Sequence, residues 1–138
     1  MKQPAGYSGT PLHKKLGIKP GFVLHLMETP PNYWELIAVP KDSYSLLDQP
    51  KTAAADFVHL FCTHWATVEK LGPVAMKTLK RNGQLWVSWP KASASIPTEL
   101  KRDPIRAYFL KLGLVDVKVA AIDANWSGLK FVYRLKDR

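Results

Sequence analysis

The chain has 138 residues, of which 46% are hydrophobic and 22% charged, which argues against a disordered, fibrous or coiled-coil protein. A single cysteine excludes an intramolecular disulfide framework and fits a reducing compartment. The formal net charge of +9 favours anionic ligands without naming an activity.

The length fits one domain, and we expect residues 1–138 to form it, with a basic segment and a short helix within residues 1–20. Residues 1–9 lack the apolar core of a signal peptide. A membrane-spanning helix needs about 20 apolar residues, and the longest apolar stretches here are strand-sized. We therefore expect a cytoplasmic protein with no membrane partner.

The first third of the chain predicts a helix and a buried strand. Thr10 as N-cap and Pro11 in the first helical position indicate a short basic helix that Gly17 closes. The apolar run Phe22–Met27 is typical of a strand covered on both faces. Residues 33–39 fit either a helix over 33–37 or a strand over 36–39. The polar residues 40–50 show no period.

The middle of the chain predicts two more strands around one helix. Asp56–Cys62 is a second apolar strand. A helix follows from about Trp65 to Lys80, and we expect Gly72-Pro73 to interrupt it. Asn82-Gly83 indicates a turn into a third strand, Gln84–Trp89.

The last third predicts a helix and an antiparallel pair of strands. Asp103-Pro104 indicates an N-cap and first turn for a helix over Ile105–Leu112. Val115–Val119 alternates as a strand with one wetter face, and Leu129–Leu135 has apolar residues at every second position. Asp123–Gly128 is then a hairpin-like connection.

This order of elements predicts an α/β fold in which a mostly parallel sheet ends in a C-terminal antiparallel hairpin. Right-handed crossovers place helices on both sides of such a sheet. We expect Asp56–Cys62 to lie beside Phe22–Met27, both parallel and buried.

The central segments resemble class I methyltransferases. The Asp56-initiated strand, its helix and the Leu79–Val87 turn and strand are similar to the central part of those enzymes, and Leu112–Val117 is similar to their entry to the closing hairpin. The resemblance covers roughly residues 22–135 and implies a single-domain, Rossmann-like three-layer sandwich.

The whole chain also resembles a small bacterial family of methyltransferase-like proteins that brings no established reaction with it. Four segments carry this resemblance: Gly6–Leu12, Leu85–Lys91, Gly113–Lys118 and Trp126–Lys130.

The chain departs from the methyltransferase pattern after its first strand. There, such enzymes have a glycine-rich loop that lets the backbone approach S-adenosylmethionine, whereas Met27–Asn32 has no glycine. Pro30 and Pro31 also remove two N–H donors. Glu28 stands in for the acidic residue of that loop and Asp42 for the ribose-binding carboxylate. We therefore expect no cofactor, S-adenosylmethionine included, to bind in the usual mode.

Four residues follow the predicted strands at the edge where open α/β sheets bind ligands: Glu28, His64, Trp89 and Lys91. Together they would offer an acid, an imidazole, an aromatic platform and a cation to a small anionic ligand. The alternative is a packed tryptophan among ordinary solvated charges. The sequence assigns no catalytic residue.

His59, Cys62 and His64 are residue types that bind zinc, but a strand directs them to different faces. We expect a buried thiol and packed imidazoles and no metal. A thiol inside an apolar strand also lacks the activation that a nucleophile needs. Ser88 lacks the flanking glycines of a serine hydrolase.

Positive charge recurs along the chain, and Lys14, Lys15 and Lys19 are candidates for anion binding. Stacking of bases on the interleaved Tyr7, Trp126 and Tyr133 is one interpretation. Surface charge dispersed around the molecule is the other. We expect weak, salt-sensitive nucleic-acid binding with little sequence preference.

Trp126 is a bulky indole in the predicted hairpin connection, where residues are normally polar. We expect it to fold back and pack under the edge of the sheet.

Three functions remain open. The first is a binding or regulatory protein on a degenerate methyltransferase-like fold without the glycine-rich loop. The alternatives are an atypical small methyltransferase or ligand-binding enzyme, and a basic nucleic-acid-associated protein.

Overall fold

The computed structural model describes residues 11–138, apart from the side chain of Lys41. Short 3₁₀ turns cover Lys41–Ser43 and Leu135–Asp137. No helix in this range is long and apolar enough to cross a bilayer. In chain order the helices and strands are α1 (Leu12–Leu16), β1 (Val23–Met27), α2 (Tyr33–Ile37), β2 (Ser45–Leu46), β3 (Ala55–Phe61), α3 (Trp65–Thr78), β4 (Leu79–Pro90), α4 (Arg102–Leu112), β5 (Leu114–Ala121) and β6 (Trp126–Tyr133).

The strands form one sheet in the order β2-β1-β3-β4-β6-β5. Strands β1 to β4 run parallel to one another, and β6 runs antiparallel to both β4 and β5. Leu24 of β1 pairs with Phe57 of β3, and both side chains are fully buried. The predicted α/β class, the parallel central pair and the C-terminal hairpin are therefore confirmed.

Helices cover both faces of the sheet, which explains the almost continuous apolar runs of β1 and β3. Successive side chains of a strand point to opposite faces. Phe57 and Phe61 pack on the side of α1 and α2, and Val58 and Leu60 pack on the side of α3 and α4. The resulting two cores are centred on Trp86 and on Phe109.

The segment between β1 and β3 differs from expectation at one strand. Of the two open interpretations for residues 33–39, the helix over Tyr33–Ile37 is confirmed. Residues 40–50 contain β2, which the sequence did not indicate because its two residues are both exposed. Asp42 consequently lies before β2, so it does not follow the second strand as the ribose-binding carboxylate of the methyltransferase pattern would. The carboxylate that follows β2 is that of Asp48.

Helix α3 and strand β4 each differ from what the sequence predicted. Helix α3 continues through Pro73, which is exposed, and ends at Thr78. Asn82-Gly83 is a bulge inside β4 and not a turn before it, because Ala55 pairs with Leu79 whereas Phe57 pairs with Gln84. A Cβ at Gly83 would lie 3.0 Å from the backbone oxygen of Asp56, so only glycine allows this close approach.

The helix starts are displaced from the predicted positions. Pro11 is the N-cap of α1 and not its first residue, and the predicted cap Thr10 lies outside the described residues, as does Tyr7. Lys101 precedes α4, so Asp103 lies in the first turn and is not the N-cap. At the other end, Gly113 closes α4 as predicted, with a φ of 117°.

The C-terminal hairpin is tighter than expected. Trp126 is the first residue of β6, so Trp126–Gly128 belongs to the strand and not to the connection. Edge strand β5 has a register shift between Asp116 and Lys118. Val117 and Val119 are 56% and 52% exposed, so the valines of this strand do not form its covered face.

Helix α1 has only five residues and depends on the sheet for its position. The last carbonyls of a helix have no partner within it. Three sheet side chains donate to successive carbonyls there: Lys118 Nζ to Lys15 O at 2.9 Å, Trp86 Nε1 to Leu16 O at 2.8 Å, and Gln84 Nε2 to Gly17 O at 2.9 Å.

A buried chain of hydrogen bonds crosses the core between α2 and the sheet. The Tyr33 hydroxyl lies 2.8 Å from His59 Nδ1, and the Ser88 hydroxyl lies 2.7 Å from His59 Nε2. Burial lowers the pKa of His59 to about 3. The imidazole is therefore neutral, with one ring nitrogen donating and the other accepting.

This burial makes stability depend on pH. Below the ordinary histidine pKa of 6.5 the unfolded chain takes up a proton that folded His59 refuses until about pH 3. The contribution of neutral His59 to the free energy of unfolding is present above pH 6.5. It is lost as pH falls towards the folded pKa of about 3. Between about pH 7.5 and pH 5 we expect a loss of about 2 kcal/mol in the free energy of unfolding, measured by urea denaturation.

His59→Gln keeps groups that bond both hydroxyls, so it should remove most of this pH dependence, whereas the exposed His64→Gln should retain it. An unchanged pH dependence in His59→Gln would contradict the assignment of this pH dependence to His59.

Candidate functional site

A cavity of about 220 Å³ opens at the carboxyl ends of β1 and β3. Chain order changes direction between these strands, since β2 lies on one side of β1 and β3 on the other. Ligands of open α/β sheets bind at such a switch point. The residues that line the cavity are Glu28, Phe61, Cys62, Thr63, Thr67 and Trp126.

Glu28 turns the chain away from β1 at one wall of this cavity. Its φ of 57° is left-handed, a conformation that costs a non-glycine residue about 1–2 kcal/mol. This exposed residue thereby lies at the end of the strand. The chain then enters α2, where the Tyr33 N–H donates to Pro30 O at 3.1 Å. The loop thus makes its turn without a glycine.

Thr63 and its neighbours form the opposite wall. The Thr98 hydroxyl donates to Thr63 O at 2.7 Å, which ties the loop after β4 to the cavity. The Thr63 hydroxyl lies 2.7 Å from His64 Nδ1, so the exposed imidazole is oriented beside the cavity. Glu99 Oε2 accepts the Trp65 N–H at 2.8 Å, and this carboxylate occupies the start of α3.

Aromatic rings form the floor. The Trp126 ring meets Phe61 edge-on at 5.0 Å, and Phe61 stacks on His59 at 4.3 Å. Asp123 Oδ1 accepts the N–H groups of Asn125 at 2.8 Å and Trp126 at 2.9 Å, which fixes the connection before β6. The predicted packing of Trp126 is observed, although the residue lies in the strand and stays partly exposed.

The four residues of the predicted crevice do not line one cavity. Glu28 lines the cavity described above, and His64 adjoins it through Thr63. Trp89 lies on the other face of the sheet, where it lines a cavity of about 540 Å³ beside the start of α4. Lys91 follows β4, and its N–H donates to Asn125 O at 2.8 Å.

The three zinc-type residues occupy different surroundings. His59 is enclosed by hydroxyl partners, and His64 is exposed. The Cys62 thiol donates to Ser88 O at 3.5 Å, and burial raises its pKa to about 12, which keeps it protonated. Within residues 11–138 no group of three or more such side chains is placed to hold a metal ion.

The lysines of the N-terminal segment meet others from the hairpin. Lys14 and Lys19 are exposed, and Lys15 Nζ donates to Ala121 O at 3.4 Å. The sequence analysis did not select Lys118 and Lys130, which lie directly opposite each other on β5 and β6. Their pairing depends on the register shift in β5, which no local pattern predicts.

The sequence analysis also missed Thr63 and Thr67. Thr63 directly follows the predicted second strand, so the rule that selected His64 applies equally to Thr63. Thr67 lies one helical turn further on, and predicting its position would have required knowing where α3 begins.

This geometry is that of a Rossmann-like fold with a cavity at the β1–β3 switch point, and solved methyltransferases share the fold. An S-adenosylmethionine-dependent methyltransferase from Aquifex aeolicus is similar with a TM-score of 0.59 at 12% identity, over 87% of this chain and 86% of that chain. A TehB-like enzyme of this type from Corynebacterium glutamicum gives 0.55 at 8% identity, over 89% and 85%.

A third similar structure is the Burkholderia thailandensis 1,6-didemethyltoxoflavin-N1-methyltransferase with bound 1,6-didemethyltoxoflavin and S-adenosylhomocysteine. It gives a TM-score of 0.55 at 12% identity, over 87% of this chain and 73% of that one. No family model matches the chain, and no curated protein matches it in sequence. The chain has a class I methyltransferase-like fold, as its motifs predicted.

Truncation of Trp126 tests the floor of the cavity. Because the ring is partly exposed, Trp126→Ala should lower the free energy of unfolding by about 2 kcal/mol, less than the loss of a fully buried aromatic. Trp126→Phe retains an aromatic contact with Phe61 and should cost less than about 1 kcal/mol. Urea denaturation measures both, and an unchanged midpoint in Trp126→Ala would show that the ring contributes no packing.

Proposed function

We propose that the protein is a small, atypical methyltransferase that holds S-adenosylmethionine in the cavity at the β1–β3 switch point. The position of this cavity carries the proposal, because a polar recess lies at the edge where this class of sheet binds ligands. Its walls differ from those of the usual enzymes, since side chains replace a glycine-rich backbone.

The residues of the cavity fit the chemistry of this cofactor. The carboxylate of Glu28 accepts hydrogen bonds from an ammonium or a ribose hydroxyl, and the hydroxyls of Thr63 and Thr67 bond to polar groups of either kind. The indole of Trp126 offers a face to a nucleobase. Asp48 follows β2, so this carboxylate replaces Asp42 as the candidate for a ribose contact.

Two features argue for weak binding. The cavity volume of about 220 Å³ is below the usual range for small-molecule sites, about 300–1,000 Å³. It would therefore enclose one part of the cofactor. Pro30 and Pro31 lack N–H groups, so the loop after β1 has fewer donors for a bound carboxylate.

When bound, S-adenosylmethionine supplies an electrophilic methyl group. The chain must then orient an acceptor and remove its proton. His64 is the candidate base in the tautomer whose Nδ1–H donates to the Thr63 hydroxyl oxygen, because Nε2 is then unprotonated and can take the proton. His59 and Cys62 are unsuited to this role, since burial holds the pKa of one at about 3 and of the other at about 12.

Calorimetry with S-adenosylmethionine tests the proposal. We expect a Kd of roughly 10–500 μM for the wild type, weaker than the micromolar affinity that a glycine-rich loop would support. Glu28→Gln should weaken binding at least about tenfold, because it removes the charge at the cavity wall. Glu35→Gln, an equal charge change at an exposed position on α2, should leave the Kd unchanged.

Equal losses in the two variants would place the ligand elsewhere. Absence of heat and of thermal stabilisation at millimolar ligand would exclude the cofactor and favour a binding or regulatory protein. Binding without transfer of a labelled methyl group to any acceptor tested would contradict the enzymatic part and leave a cofactor-binding protein.

A further inference from the structure

Five lysines from four parts of the chain converge on the α1 side of the sheet. Lys118 and Lys130 are cross-strand partners, and Lys130 also pairs with Trp86, whose side chain lies under α1. Lys118 Nζ donates to Lys15 O at 2.9 Å, which brings α1 against this pair. We call this surface the lysine face; its members are Lys15, Lys19, Lys91, Lys118 and Lys130.

The lysine face extends to the cavity. Lys15 Nζ donates to Ala121 O at 3.4 Å, at the end of β5. The Lys91 N–H donates to the carbonyl of Asn125, the residue before Trp126. The lysine face therefore reaches from the β5–β6 pair to the segment that joins Asn125 to Trp126, and Trp126 is itself partly exposed.

The charges of the lysine face act on one another. Like charges directly opposite on neighbouring strands destabilise a sheet. Burial lowers the pKa of Lys130, and the charges of Lys118 and Lys19 lower it further. Burial and the charges of Lys118 and Lys91 lower the pKa of Lys15 in the same way. A ligand that carries several negative charges relieves this repulsion.

At four of the five positions, no acidic residue that the structure describes forms an ion pair with the lysine. Within residues 11–138, Lys19, Lys91, Lys118 and Lys130 take part in no ion pair. The acid nearest in sequence to Lys118 is Asp116, and its carboxylate contacts Arg106 of α4 on the opposite face of the sheet, at 2.9 Å.

The chemistry of the lysine face indicates one kind of partner. Ammonium groups bind phosphates as point charges and do not select bases. Single-stranded nucleic acid combines a row of phosphates with bases that stack on aromatic rings. We propose that the lysine face binds the backbone of a single-stranded nucleic acid and that Trp126 stacks on one of its bases. Tyr133 is buried beneath Arg81, so it does not offer the stacking surface that the sequence suggested.

Fluorescence anisotropy with a labelled oligouridine of 20 nucleotides tests this proposal. The variant Lys19→Gln/Lys130→Gln removes two charges from the lysine face without disturbing the Lys118 contact that positions α1. Lys70→Gln/Lys77→Gln on α3 makes the same charge change at exposed positions on the other side of the sheet. Thermal melts confirm that both variants are folded.

At about 50 mM salt we expect the first variant to bind at least about tenfold more weakly than wild type. Its slope of log K against log salt should fall by about 1.4, because each phosphate contact on a single strand contributes about 0.7. The α3 variant should keep the wild-type slope, and Trp126→Ala should weaken binding with the slope unchanged.

Equal losses in the two double variants would overturn the proposal in favour of general charge attraction. Equal affinity for a duplex of the same length would overturn the single-strand assignment, and tighter binding to phosphatidylserine vesicles would indicate a lipid surface instead. Glu28→Gln should bind the oligonucleotide like wild type, so failure of the cofactor proposal is distinguishable from failure of this one.

Discussion

An uncharged imidazole fixed between two hydroxyl groups joins the parts of this protein that form its site. Tyr33 brings α2 to one nitrogen of His59, and Ser88 of β4 meets the other. The same ring stacks on Phe61, whose other neighbour is Trp126. Glycine at position 128 is part of this arrangement, since a Cβ there would lie 3.1 Å from the Ser88 hydroxyl oxygen. The floor of the cavity is therefore set by groups that lie behind its lining residues.

The polar residues at the amino ends and at the carboxyl ends of the parallel strands have different surroundings. Asp56 holds the amino ends of the strands together, because it accepts the Val23 N–H at 2.8 Å and the Lys80 ammonium at 3.0 Å. At the carboxyl ends Glu28, Thr63 and Thr67 surround a cavity. The Asp56 contacts and the cavity thus lie at opposite edges of one sheet, and the cavity lies at the edge where open α/β proteins bind ligands. The methyltransferase-like order of strands persists although the loop after β1 has prolines where glycines are usual.

The sequence was sufficient for the central strands because burial on both faces leaves an almost continuous apolar run, as in Phe22–Met27 and Asp56–Cys62. It was insufficient for β2, whose two exposed residues are fixed by pairing with β1 and have no pattern of their own. Asn82-Gly83 has the composition of a turn, but contact with β3 converts it into a bulge. The same limit applies to the candidate functional residues, because some of them are brought together only by strand pairing. Glu28 could be selected from its place after a strand, whereas the Lys118–Lys130 pair requires the shifted register of β5 against β6.

The way α1 is attached has a dynamic consequence. A helix of five residues gains little from its own hydrogen bonds, and three donors on the sheet account for its last carbonyls. Loss of those contacts frees α1 while the ladders of the sheet remain intact. Its amide protons therefore exchange with solvent through a local opening, at a free energy below that of global unfolding. Each such opening exposes the indole of Trp86, so that the largest fully buried side chain reports on a helix of five residues.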